Sequence, residues 1–119
     1  MLCRAPLLLA LLAIGCVSVT GPDPAGVLFT PPATYRMLWT AVEVCSGRHG
    51  DVSRIQWHES PDGSLGPRIM GEWLPDHDVY VVRFVVTHDL QASVQHEMLH
   101  DLLGGDVGHL SPLWARCGL

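Results

Sequence analysis

The chain contains no lysine. Its seven basic residues are all arginine, they stand against twelve acids, and the net charge of the 119 residues is −5. From residue 27 onward six arginines face eleven acids without forming a basic cluster, so no stretch can track phosphates and nucleic acid is not expected as a partner. There is no internal repeat and no room for a second domain. Long apolar runs are scarce as well. The one candidate, Leu7–Val19 after Arg4, is shorter than the roughly 20 residues of a bilayer-spanning helix and has the length of a signal-peptide core. Cysteine is sparse, with four residues at positions 3, 16, 45 and 117.

What is there begins with a processing signal. The apolar run carries "LLAIGC", in which a small residue precedes Cys16 as in the lipobox of bacterial lipoproteins, although Ala13 stands where that pattern more often has leucine. Residues 1–16 therefore read as a signal peptide with Cys16 as lipidation site. Cleavage after a small residue, releasing a soluble domain, is the alternative, and an uncleaved anchor is the least favoured. Residues 17–33, rich in Pro, Gly and Thr, read as an extended tether, and residues 34–119 as the folded domain. About 85 residues bury only a marginal core, so a staple or metal would help. With Cys3 leaving in the signal and Cys16 set aside for lipid, Cys45 and Cys117 remain as an even pair expected to be disulfide-bonded in an oxidising compartment. The expected location is periplasmic or cell-surface, lipid-anchored or otherwise secreted.

The pattern predicts an α+β fold. In "TYRMLWTAVEVCSG", Tyr35, Leu38, Trp39, Val42 and Cys45 recur at helical spacing, with Thr34 to cap the start and Gly47 to end it. "DVSRIQWH" alternates, with Ile55 and Trp57 on one face of a strand, and "ESPDGSLGP" is turn chemistry. A second strand is predicted around Ile69–Trp73 and a third over Val79–Val86, whose valines and aromatics make it the strongest strand signal. These would form a sheet of about three strands. A last helix is predicted from an Asp89 N-cap to Gly104, with Val94, Met98, Leu99, Leu102 and Leu103 facing the core.

That helix carries "HEMLH". His96 and His100 lie one turn apart, close enough for both imidazoles to reach one ion at about 2.0–2.1 Å. Glu97 is displaced by about 100° around the helix and falls beside such an ion, where it could take a proton from water. A catalytic zinc needs a third protein ligand and an open position. His109 in "GGDVGH" is favoured, because glycines at 104, 105 and 108 let the chain turn back. Asp106 is the alternative, six residues past His100, or else a hydrogen-bond partner of a ligating imidazole.

At these residues the chain resembles the zincin metallopeptidases. The run "HEMLHDLLGGDVGHLSPLWARC" is most similar to the SprT-like group, in which H-E-x-x-H is followed by Gly-His and an aromatic, here Gly108, His109 and Trp114. The resemblance covers residues 96 to about 117. It implies zinc held by His96, His100 and His109, Glu97 as general base, a helix and small sheet behind an active-site helix, and a peptide or protein substrate along an edge strand. The short connection, the export signal and the lack of a nucleic-acid-binding segment set the chain apart, so the group's intracellular role linked to DNA is not carried over.

The sequence therefore predicts an exported zinc peptidase of zincin-like architecture. Tyr80 and His77 are candidate oxyanion donors, each with an ordinary reading as strand aromatic and loop histidine. His49, His58 and His88 read as surface residues, and Trp39, Trp57, Trp73 and Trp114 as core or rim. Two rivals remain: a structural zinc closed by His96, His100, His109 and Cys117, and a degenerate zincin module, metal-binding but non-catalytic, anchored at the cell surface.

Overall fold

A computed structural model describes residues 24–119. The stretch 1–16 expected to be a signal peptide, with Cys16 as its expected lipidation site, lies outside the described residues. Among the described residues no helix is long and apolar enough to cross a membrane.

The domain is α+β, with a four-stranded mixed sheet and four helices. Helix α1 spans Thr34–Ser46 and buries Tyr35, Leu38, Trp39 and Val42, the stripe that its periodicity predicts. Thr34 is its first helical residue, however, and Ala33 occupies the N-cap without a side-chain bond. Gly47 ends it at φ 70°, the left-handed conformation that glycine adopts most readily.

The predicted strand from Asp51 divides in two. Val52–Arg54 form a 3-10 turn capped by the Asp51 carboxylate, and β2 occupies Gln56–Ser60. The sheet's first strand, β1 at Val27–Leu28, comes from the stretch read as tether and pairs antiparallel with β2. Strand β3 is Gly71–Leu74 and β4 is Asp78–Val82. The order β1-β2-β4-β3 places β4 parallel to β2 and antiparallel to β3, leaving β3 at an edge.

The strongest predicted strand stops early. After Val82 the chain becomes a short helix, α2 at Arg83–Thr87, because the Asp62 carboxylate accepts the backbone N–H of Phe84 at 2.8 Å and Val85 enters the core with no exposed surface. Tertiary packing here overrides a local β preference.

Helix α3 spans Gln91–Leu103. Leu90, not Asp89, occupies its N-cap, and Asp89 instead sits at φ 50° with its carboxylate accepting from Gln91. Val94, Met98 and Leu99 are fully buried against α1 and the sheet, where Val79, Val81 and Trp57 meet them. Helix α4, Leu113–Cys117, closes the fold, and the Cys45–Cys117 disulfide ties it to the end of α1 across 72 residues.

Candidate metal centre

His96 and His100 project from adjacent turns of α3, and the third imidazole arrives from the loop that follows. Gly104 at φ 67° and Gly105 at φ 141° turn the chain out of the helix. The Asp106 carboxylate then gathers three donors: the backbone N–H of Leu110 at 3.0 Å, that of Ser111 at 2.9 Å and the indole N–H of Trp114 at 2.7 Å. The loop so fixed delivers His109. Ligand nitrogens of His96, His100 and His109 all lie within 4.8 Å of one another, with 2.9 Å between His96 Nε2 and His109 Nε2.

Of the two candidates for third ligand, the structure thus brings His109 to the pair and engages Asp106 elsewhere. Hydrogen bonds from Ser111, Trp114 and Leu110 hold the Asp106 carboxyl below the usual carboxylate range. It contacts the loop and an indole rather than an imidazole.

The donor chemistry suits a borderline cation. His100 Nδ1 donates to the Gly105 carbonyl at 2.7 Å, which leaves Nε2 with its lone pair free. Burial, reinforced by charge on His100 and His109, pushes His96 down to about 4. Burial likewise lowers His100, against the Gly105 hydrogen bond that raises it. Both rings are therefore neutral near pH 7, the state that binds metals. Trp114, read from the sequence as core or rim and as the aromatic of the SprT-like pattern, has its ring 4.6 Å from each of the three imidazoles and forms the apolar floor beneath them.

Glu97 lies beside this cluster in the wall of the same cleft. It is 5% exposed, and its Oε2 has no hydrogen-bond partner among the described residues. Burial, with the charge of Glu72 second, drives its carboxyl up to about 8 against the backbone N–H of Trp73. The carboxyl reaches this place because β3 begins with glycine: a Cβ on Gly71 would stand 2.8 Å from Glu97 Oε1.

One residue that sequence reading missed braces the cleft from behind. Asp101 is 1% exposed and accepts from Arg54 Nε at 2.9 Å, Trp73 Nε1 at 3.0 Å and His77 Nδ1 at 2.7 Å. It pins the edge strand β3, and with it the Trp73 ring that stacks toward His100, to α3. A sequence signal existed. Position 101 lies seven residues from Val94 and three from Met98, on the buried side of the helix, where an acid requires partners.

The candidate oxyanion donors are placed elsewhere. Tyr80 stacks on His58 at 4.3 Å and lines neither of the cavities beside His96, His100 and His109. His77 is committed through Nδ1 to Asp101 and does not line the cleft. His58, read as a surface residue, is half-buried and bonded to Asp78 at 3.0 Å. His49 and His88 are exposed, beside Glu43 and Phe84 respectively. Cys117 cannot close a tetrahedron around a structural zinc, since its sulfur is bonded to Cys45. Comparison with protein-family models, curated proteins and solved structures returns no match to this chain, so the candidate function rests on its own geometry.

Proposed function

We propose that the chain is a small zincin-like zinc peptidase. The observation that carries this reading is the convergence of His96, His100 and His109 within 4.8 Å beside a buried glutamate. An edge strand, β3, running along α3 next to that cluster supports the zincin comparison. The three imidazoles would hold the metal. Zinc, when bound, supplies Lewis acidity toward a carbonyl and a lowered pKa for water.

The protein's own groups do the rest. Glu97, buried beside the imidazoles, would take a proton from the attacking water and return it to the leaving amine. Trp114 excludes water from beneath the imidazoles, and the Gly105 carbonyl fixes the His100 tautomer. The exposed edge of β3 offers backbone groups to an extended peptide. The disulfide supports export to an oxidising compartment, with or without lipid at Cys16.

Zinc per oxidised chain, with His109→Ala and Glu97→Gln alongside, is the test. The expected result is one equivalent in the parent, clear loss in His109→Ala, and retention in Glu97→Gln with peptide cleavage abolished. No zinc in the parent would sink the reading. Zinc without cleavage of any peptide would leave a non-catalytic metal-binding module.

A further inference from the structure

Two cavities meet at His96 and Glu97. One, of about 410 Å³, is walled by Arg68, Ile69, Met70, Ala92 and Ser93. The other, of about 360 Å³, runs past Glu72, Trp73 and Val107 to His100 and His109. Both include Ile69, Gly71, His96 and Glu97, so together they make one groove that crosses the histidines at the start of β3.

Its lips are apolar. Ile69, Met70 and Val107 are 44%, 40% and 79% exposed, a concentration of large aliphatic surface around a polar centre that marks a ligand groove. Its ends differ in charge. Glu72 lies in the arm that leads to His109, and its field also acts on Glu97. Arg68 lies in the other arm, where its guanidinium makes no ion pair or hydrogen bond with any described residue. With no partner among the described residues, Arg68 is available to an anion from outside.

We propose that the groove selects an extended peptide carrying an aliphatic side chain next to an acidic one. The aliphatic group enters between Ile69, Met70 and Ala92, and the carboxylate meets Arg68. Glu72 repels acid from the opposite end and so sets the direction in which the segment lies. This names a substrate class for the peptidase reading, on which it rests for cleavage but not for binding.

Binding is measured on the oxidised Glu97→Gln chain with zinc present, by NMR of the Ile69, Met70 and Ala92 methyl groups. The probes are acetylated, amidated glycine pentapeptides with a central leucine flanked on one side by aspartate, alanine or lysine. Leucine should tighten binding about tenfold over glycine. In one of the two orders aspartate should bind about fivefold tighter than lysine, the size of a partly screened ion pair. Arg68→Glu should reverse the acid-base preference, and Ala92→Phe, at an exposed helix position, should weaken every leucine peptide. Absence of binding, indifference to leucine, or an unchanged order in Arg68→Glu overturns the proposal. Selective binding without hydrolysis by the parent would defeat the peptidase reading and leave the groove standing. Hydrolysis without this selectivity would do the reverse.

Discussion

The indole N–H of Trp114 donates to the carboxylate of Asp106 at 2.7 Å, and Trp114 packs its ring against all three imidazoles of the cluster. A single aspartate thereby sets both the loop that carries His109 and the surface on which the rings rest. Asp106→Ala should lower zinc affinity about 10- to 100-fold while one equivalent still binds at saturation, the behaviour of a supporting residue rather than a ligand. Competition with a chromophoric chelator would measure it. Loss of stoichiometric binding would make Asp106 a ligand after all.

Gly71 leaves room for Glu97, and a methyl group there would stand 2.8 Å from Oε1. Gly71→Ala should displace the carboxyl from its place beside the histidines. Zinc content should be unchanged and peptide cleavage should fall at least about tenfold, with an overpacking cost of about 1–3 kcal/mol. Parallel metal analysis and kinetics on one preparation would show whether the two properties separate.

Removing the Asp101 carboxylate takes the shared acceptor from three donors at once. Asp101→Ala should cost about 2–4 kcal/mol in denaturant unfolding, and Trp73→Phe, which removes one of those bonds, about 1 kcal/mol. If Asp101→Ala were no more costly than Trp73→Phe, the hub would be an accident of packing.

Without metal, Glu97 binds its proton more tightly in the folded chain than in the unfolded one, with a pKa of about 8 against 4.5. Below pH 4.5 both states are protonated and nothing is lost. As pH rises from there through 8, the unfolded chain releases a proton that the folded chain retains, so stability falls. His96, lowered from 6.5 to about 4, acts in the opposite sense: its contribution is lost as pH drops from 6.5 through 4. Between pH 6.5 and 8 the Glu97 effect stands alone and should amount to about 2 kcal/mol. Urea unfolding of the chelator-treated protein should show this decline, and Glu97→Gln should flatten it.

Local patterns were legible where one element settles its own structure. The stripe Tyr35, Leu38, Trp39, Val42 and the arc Val94, Met98, Leu99 both face the core as their spacing requires. The spacing of His96, Glu97 and His100 and the glycines before His109 led directly to the cluster. What could not be read depends on groups far apart in the chain. Nothing near Val82 announces that Asp62 will cap Phe84, and nothing in "AGVLFT" announces a pairing with Glu59 and His58. The partners of Asp101 lie 47, 28 and 24 positions away. Caps at Thr34 and Asp89 missed by one residue, because several polar residues near a helix start can serve equally well.

The bond between Cys45 and Cys117 makes a covalent ring of everything between them, including all three converging imidazoles and every residue of the groove except Gly118 and Leu119. A single cut at the exposed turn near Gly63 would therefore open that ring without producing two molecules. The fragments would part only on reduction, so the fold is built to outlast one scission of its backbone.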